Sequence, residues 1–289
     1  RAADPRPGGR IRCMQARAAA RREGPVRPAP CGVLGPLGSG PRSSAPVFGP
    51  AKGRRMTPKE RAAVAAAGLI SNGMVVGLGT GSTAAVLVRE VGRLLRAWEI
   101  RDIRGVPTSE STARLARAEG IPLVGLDEVE RVDLTLDGAD EVDPAWNLVK
   151  GAGGSLLREK IVAQASAAEA IMVDSSKLVE RLGSKMPLPV EVVPFGWTTH
   201  LEFFRSLGGA PKLRKTADGA PFLTDEGNYT VDLWFTDGSG TAALEDPHRL
   251  ERNLLVRTGV VETGLFLGLA TILVIGGETG VEIRRERPA

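Results

Sequence analysis

Two apolar rhythms alternate along most of this chain. One has the three-to-four-residue spacing of a helix face; the other consists of short runs that suit strands. Thr57-Pro58-Lys59-Glu60 carries the marks of a helix start, with Thr57 as N-cap and Pro58 at the first helical position. Helix formers continue to about residue 70, and Asn72-Gly73 ends the segment. Residues 74–78 then read as a strand, followed by a glycine-rich turn and a helix over 83–95. A strand at 103–106 leads through 107–111 into a helix over 112–119. Further strands are expected at 121–124, 131–136 and 170–173, with a helix over 155–168. Strands alternating with helices predict an α/β fold, a mostly parallel sheet with helices on both faces.

The texture changes after Pro187-Leu188-Pro189. A strand at 190–193 precedes a helix over 199–207, and strand-like runs follow at 212–215, 222–224 and 229–233. Asp225-Glu226-Gly227-Asn228 joins the last two as a hairpin turn. A helix over 247–256 follows, and the strand at 271–275 again resembles the parallel ones. The expectation is a large α/β domain from 56–186 and 259–289, interrupted by a small α+β domain with antiparallel strands at 187–258. No internal repeat is evident.

Charge is divided unevenly. Residues 1–55 hold eleven Arg and one Lys against Asp4 and Glu23, whereas 56–289 carry 26 basic and 32 acidic side chains. A basic surface for nucleic acid is therefore not a property of the patterned region. With nine Pro, nine Gly and no apolar rhythm, 1–55 is expected to be disordered. An organelle transit peptide, a solvated extension and upstream sequence foreign to the natural protein are its three readings. Met56, opening the first patterned segment, favours the last. Both cysteines, Cys13 and Cys31, fall in this stretch, and only His200 and His248 represent histidine, so a Cys- or His-based metal site is not expected. This usage fits a reducing, cytoplasmic setting. The most apolar run, 259–275, is broken by Glu262 and five glycines or threonines, which argues against a membrane span.

Open parallel sheets bind ligands beyond the carboxyl ends of their strands, and four segments fall at such ends. Gly77-Leu78-Gly79-Thr80-Gly81-Ser82-Thr83 joins strand to helix, and its small residues, hydroxyls and helix N-terminus suit a phosphate. It lacks the third glycine of a dinucleotide fingerprint, Ser82 standing in its place, and the Gly-Lys-Ser/Thr of a Walker loop. Leu136-Asp137-Gly138-Ala139-Asp140-Glu141 ends a strand in acids whose repulsion and partial burial would raise one pKa. Lys150-Gly151-Ala152-Gly153-Gly154 runs into a helix that carries Glu159 near its start. Asp174-Ser175-Ser176-Lys177 follows the last strand of this series. Each segment alone also suits a capped turn, a solvated acidic loop or a Mg²⁺ site. Together they fit proton movement on a small phosphorylated, oxygen-rich substrate.

The chain resembles the A-type ribose-5-phosphate isomerases of the pentose phosphate pathway. The resemblance rests on GLGTGSTA (77–84), LDGADEVD (136–143), KGAGG with REKIVA (150–163), DSSK (174–177), PLPVEVVPF (187–195), TDEGN (224–228) and GVVETGLF (259–266), in family order over nearly all of 57–289. It implies cofactor-free, metal-free interconversion of ribose 5-phosphate and ribulose 5-phosphate through an enediolate. Position by position, it implies Glu159 as the base moving a proton between C2 and C1. Asp137 and Asp140 would handle hydroxyl protons and ring opening. Lys150 with the backbone of Gly151, Ala152 and Gly153 would stabilise the enediolate, beside Gly138 and Ala139. Thr80, Gly81, Ser82, Thr83 and Lys177 would bind the substrate, chiefly its phosphate, and an ungapped count back from Thr80 adds Lys59. A homodimer or higher homo-oligomer is implied, with neither a nucleic-acid nor a membrane partner.

Three departures stand out: Ala152 where glycine is common, Thr258 where proline usually precedes Gly-Val-Val, and 235–244, which matches poorly. Two rival readings carry other functions. A coenzyme A transferase-like enzyme would use Glu159 as nucleophile, but no segment suits so long a ligand. A non-catalytic sugar-phosphate sensor would need a DNA-binding helix-turn-helix, which the Pro/Gly-rich first 55 residues do not offer.

Overall fold

Thr57 caps the first helix reciprocally: Glu60 N donates to Thr57 Oγ1 at 3.3 Å, and Thr57 N donates to Glu60 Oε2 at 2.8 Å. The structure, a computed structural model, describes residues 55–235 and 244–285, so the expectation for the 1–55 extension, Arg55 aside, falls outside the described residues. Helix α1 (Pro58–Ala67) leads to β1 (Val75–Leu78), α2 (Ser82–Arg96), β2 (Arg104–Pro107), α3 (Glu110–Ala118) and β3 (Leu134–Gly138). Two-residue strands β4 (Glu141–Val142) and β5 (Leu148–Val149) precede α4 (Leu156–Gln164) and β6 (Glu169–Asp174). The chain continues through β7 (Leu188–Val192), α5 (Leu201–Ser206), β8 (Gly209–Leu213), β9 (Tyr229–Phe235) and α6 (Pro247–Leu255). It closes with β10 (Val260–Thr263), β11 (Leu265–Phe266), β12 (Ile272–Gly276) and β13 (Val281–Arg284).

The large sheet runs β13-β12-β6-β3-β1-β2, parallel throughout except for the antiparallel edge strand β13. A second, antiparallel sheet runs β10-β7-β9-β8, and a third small one runs β11-β5-β4. The expected α/β sheet with an added antiparallel one is therefore present. The main core joins Ala62, Ala63, Ala66 and Ala67 of α1 and Leu87, Val88 and Val91 of α2 to Val76, Leu136 and Met172 of the sheet. The alanines let α1 lie close to β6 and β12. At Gly276 the approach is so tight that a Cβ would sit 1.8 Å from Pro58 O. A second core under the antiparallel sheet gathers Val190, Phe204, Val231, Leu233 and Leu254.

Several sequence expectations need correction. Residues 121–124 do not form a sheet strand. They make one bridge to β2, Gly105 N donating to Pro122 O and Val124 N to Gly105 O, and Pro122 has no N–H to extend the ladder. Residues 222–224 likewise make only a single bridge, Leu223 to Tyr229, beside a second from Lys215 to Pro221. The strand expected at 212–215 is β8, three residues earlier. Helix α4 stops at Gln164 because Ala167 N turns to Val132 O, drawing the chain toward β3. Residues 260–263, placed with the large domain on sequence, form β10 and pair with β7 in the antiparallel sheet. Among the described residues, no helix is long and apolar enough to cross a membrane.

Candidate active site

The carboxyl ends of β1, β3 and β6 meet the start of α4 in a cleft of about 90 Å³. Lys59, Thr80, Gly81, Ser82, Thr83, Gly138, Ala139, Asp140, Lys150, Gly151, Gly153, Glu159 and Lys177 line it. These residues span more than a hundred positions in sequence, so the sheet topology collects what the motifs left scattered. Lys59, reached by counting, takes its place from the first turn of α1. Of the expected site residues, Asp137, which is buried, and Ala152, which is exposed, are not part of the lining.

At the anion-binding side, Gly81 is the N-cap of α2 with φ 107°, a conformation glycine adopts without strain. The first α2 backbone bond runs from Ala85 N to Gly81 O, so the N–H groups of the preceding turn head toward the cleft. The Thr80 hydroxyl, expected on the phosphate, is drawn elsewhere: it lies 2.8 Å from Thr108 Oγ1 and 2.9 Å from Ser109 Oγ, at the head of α3. Thr80 itself lines the cleft. Lys59 and Lys177 both bear on Asp174, whose pKa lies below the ordinary value; burial opposes that shift, but hydrogen bonds from Ser176 and the two lysines outweigh it.

The cleft floor is built around one ammonium. Lys150, at the end of β5 and 2% exposed, places Nζ 2.9 Å from Asp137 Oδ2 and 3.3 Å from Glu159 Oε2. The same nitrogen donates to Gly138 O at 2.6 Å. Burial alone would lower the Lys150 pKa, but Asp137, Glu159 and Glu169 together raise it, and it remains charged. Asp137 Oδ1 accepts from Gly138 N at 2.7 Å and Thr80 N at 3.1 Å, so its two oxygens face three donors. Burial still pushes its pKa upward. Asp140, nearer the surface, accepts from Ala152 N at 2.9 Å.

Glu159 differs from Asp137 in its hydrogen bonding. Its Oε2 is buried and, although beside the Lys150 ammonium, has no hydrogen-bond partner. Burial, offset by Lys150 and reinforced by Asp137, pushes its pKa up to about 8. The dipole of α4 would favour the carboxylate, so the burial effect outweighs that of the helix end. Such a group exchanges protons near neutral pH, as a carboxylate with ordinary pKa does not.

Two residues of this neighbourhood were missed on sequence. Glu169, on β6, has both carboxyl oxygens buried without a hydrogen-bond partner, and burial pushes its pKa up to about 7 against the pull of Lys150. Nothing in its alanine-rich surroundings marks it. Arg214, just beyond β8, donates to Gly151 O at 2.8 Å and to Ala152 O at 3.2 Å. It read only as part of a strand-like run. A larger groove of about 510 Å³ lies between α3 and α4 beside Leu126 and Ile161, but it does not reach the Lys150 cluster. Among the described residues, no group of three or more His, Cys, Asp or Glu is arranged to hold a metal ion.

Residues 104–280 match the family model of ribose 5-phosphate isomerase A (phosphoriboisomerase A). The ribose-5-phosphate isomerase A of Chloroflexus aurantiacus is 52% identical over 226 residues, covering 78% of this chain and 92% of that protein. The probable ribose-5-phosphate isomerase 3, chloroplastic, of Arabidopsis thaliana is 48% identical over 230 residues, 78% of this chain and 82% of its own. Among solved structures, a D-ribose-5-phosphate isomerase in complex with phospho-erythronic acid superposes with a TM-score of 0.75. It is 38% identical, covering 79% of this chain and 98% of that one. The Plasmodium falciparum ribose 5-phosphate isomerase gives 0.75 at 34% identity, covering 80% and 99%.

Proposed function

The chain belongs to the ribose 5-phosphate isomerase A family, and from that membership we propose how its own side chains carry the reaction. The protein is an aldose–ketose isomerase that interconverts ribose 5-phosphate and ribulose 5-phosphate. The substrate phosphate sits at the N-terminus of α2, met by Ser82 and Thr83, with Lys59 and Lys177 opposite. That anchor places C1 and C2 of the opened sugar over Lys150 and Glu159.

In the aldose-to-ketose direction, ionised Glu159 takes the proton from C2. The C2–H electrons form the C1–C2 double bond, and the carbonyl electrons move onto O1. The Lys150 ammonium and the N–H groups of the 151–153 loop stabilise the negative oxygen. Glu159 then delivers its proton to C1 while O2 becomes the new carbonyl, and the hydroxyl proton of O2 passes to O1 by way of Asp140. Asp137, saturated by its donors, holds the Lys150 ammonium in place rather than exchanging protons itself. The residues expected to act on hydroxyls thus divide into one that orients and one that transfers.

The observation that carries this reading is the buried Lys150 ammonium set between Asp137 and Glu159 on the cleft floor. Its test is a ribose 5-phosphate assay coupled to ribulose 5-phosphate consumption, run on the parent and on Lys150→Met. Turnover lost in the variant with phosphate binding kept supports the assignment; full turnover refutes it.

The same proposal includes operation without cofactor or metal, a place in non-oxidative pentose phosphate interconversion, and a cytoplasmic setting, supported by the absence of cysteine after Cys31. It also includes a homodimer or larger homo-oligomer. The outward-facing Phe195, 94% exposed, and Val256, 81% exposed, support assembly.

A further inference from the structure

Arg214 reaches from the antiparallel sheet into the backbone of the catalytic loop. Its side chain is only 15% exposed. Nε donates to Asp232 Oδ2 at 3.0 Å and Nη2 donates to Asp232 Oδ1, a two-pronged pairing that fixes the plane of the guanidinium. The remaining edge faces the loop: Nη1 donates to Gly151 O at 2.8 Å and to Ala152 O at 3.2 Å. Phe222 lies under the guanidinium, 6.0 Å from ring centre to Cζ. The same ring packs so closely on Gly154 that a Cβ there would meet Phe222 Cζ at 2.4 Å.

A trans peptide is planar, with its carbonyl and its N–H pointing in opposite directions. Turning the Gly151 carbonyl toward Arg214 therefore turns the Ala152 N–H away from it, where it donates to Asp140 Oδ2 at 2.9 Å. Turning the Ala152 carbonyl the same way sends the Gly153 N–H to the cleft side of the loop, which Gly153 lines. Both peptide planes flanking Ala152 are thus held from behind by one guanidinium, which shares the Gly151 carbonyl with Gly154 N at 3.0 Å. A glycine-rich loop has little conformational preference of its own, so an outside clamp has something to fix.

We propose that Arg214 is a positioning residue for the isomerisation, holding the two peptide planes that aim the Ala152 N–H at Asp140 and the Gly153 N–H at the reacting oxygens. This inference rests on the isomerase reading above. It assigns the antiparallel sheet a part in the chemistry, because Asp232 on β9 orients the arginine that orients the loop.

The test uses the full chain with Arg214→Met, Arg214→Lys and Arg214→Ala, each checked for parental circular dichroism and assayed well below its melting temperature. Arg214→Met is expected to lose ~10²-fold in kcat, the scale of an angstrom-sized misplacement near the chemistry. KM for ribose 5-phosphate should stay within about threefold, because the phosphate is held by α2 rather than by this loop. Affinity for a four-carbon phosphorylated aldonate, whose carboxylate mimics the enediolate oxygens, should fall by ~10-fold or more, with inorganic phosphate little changed. Guanidinium ion added to Arg214→Ala should restore part of kcat, and Arg214→Lys should fall between parent and Met. A folded Arg214→Met that keeps kcat within about threefold of the parent overturns the proposal. So does equal loss of aldonate and phosphate affinity, which marks a general collapse of the cleft. Should Arg214→Met fail to fold, the lysine variant decides, and unchanged kcat there overturns the proposal. A parent that does not turn over ribose 5-phosphate counts against the isomerase reading instead.

Discussion

Lys150 holds its ammonium 3.3 Å from Glu159 Oε2 without hydrogen-bonding it, while the same nitrogen lies 2.9 Å from Asp137 Oδ2. One cation therefore faces two buried carboxylates and engages the aspartate more closely. Burial pushes both carboxylates upward, and it carries the glutamate, which lacks the backbone donors that Gly138 and Thr80 give the aspartate, up to about 8. A base must be ionised, so kcat/KM should rise with pH through about 8 and then level off. Glu159→Gln should abolish that limb and lower kcat by ~10²–10⁴-fold, with exchange of solvent deuterium into C1 and C2 falling in parallel. A variant that keeps near-normal turnover would move the base to Asp140.

The same residue makes a stability prediction of opposite sense. Its folded pKa, about 8, stands above the ordinary value of 4.5, so the folded state holds its proton more tightly over that interval. Stability from the neutral form is complete below the lower value and is lost as pH rises through the higher one. Glu159→Gln, neutral throughout, leaves Lys150 matched one-to-one by Asp137. The variant should melt roughly 5 °C or more above the parent at pH 9, each kcal/mol moving a domain of this size by about 2–4 °C. At pH 4, below both values, the two should melt together. A scan at both pH values checks it, and equal melting at pH 9 would mean that the carboxylate is better solvated than its burial implies.

Gly79→Ala should abolish turnover through Asp137. A Cβ at Gly79 would fall 2.1 Å from Asp137 Oδ1 and 2.6 Å from its Cα, so a side-chain rotation alone does not relieve the clash. Displacing Asp137 frees the Lys150 ammonium it holds. The expected loss in kcat is at least ~10²-fold in protein that still folds. Gly280→Ala, where a Cβ meets nothing within 4 Å and which lies outside the cleft, is the control and should cost far less.

Thr83→Val and Lys177→Ala each remove one donor at the phosphate end. A hydrogen bond to a charged group contributes roughly 1.5–3 kcal/mol, so KM for ribose 5-phosphate should rise by about 10- to 100-fold. Turnover of unphosphorylated ribose should hardly change. Equal losses on both sugars would place these residues outside the phosphate site.

Exhaustive chelation should leave activity intact, because the positions a metal would take on Asp137 are filled by Lys150 Nζ, Gly138 N and Thr80 N. Loss on adding EDTA, restored by Mg²⁺ or Mn²⁺, would show that the aspartate exchanges its donors for an ion.

Most of the site was legible because its parts are local. Gly81 at a strand–helix turn, Asp137 at a strand end and Glu159 in a first helical turn each follow from a pattern a few residues long. What the sequence withheld depends on distance. Lys150 lies closer to Asp137 than to the equally buried Glu159 because of how β3, β5 and α4 meet, which no local window reports. The hydroxyl neighbours of Thr80, Thr108 and Ser109, lie nearly thirty residues away and no local pattern shows them. Arg214 clamps a loop more than sixty positions earlier, and β10 reads like a neighbour of β12 until β7 claims it. The strand expected at 121–124 shrinks to one bridge for a local reason, since Pro122 has no N–H to extend a ladder.

The contact of Gly276 with Pro58 has a consequence for biosynthesis. Helix α1 packs on β6 and β12, and β12 follows the antiparallel sheet in the chain. A ribosome therefore releases α1 long before one of the two strands that cover it has been made. Until β12 emerges, the alanine face of α1 has only part of its seat, and the large sheet ends at an unpaired β6. Such distant pairing slows folding and leaves a bare strand edge open to other chains. Nascent chains halted just short of residue 272 should thus remain protease-sensitive in α1 and depend on chaperones, becoming resistant only once β12 has cleared the exit tunnel.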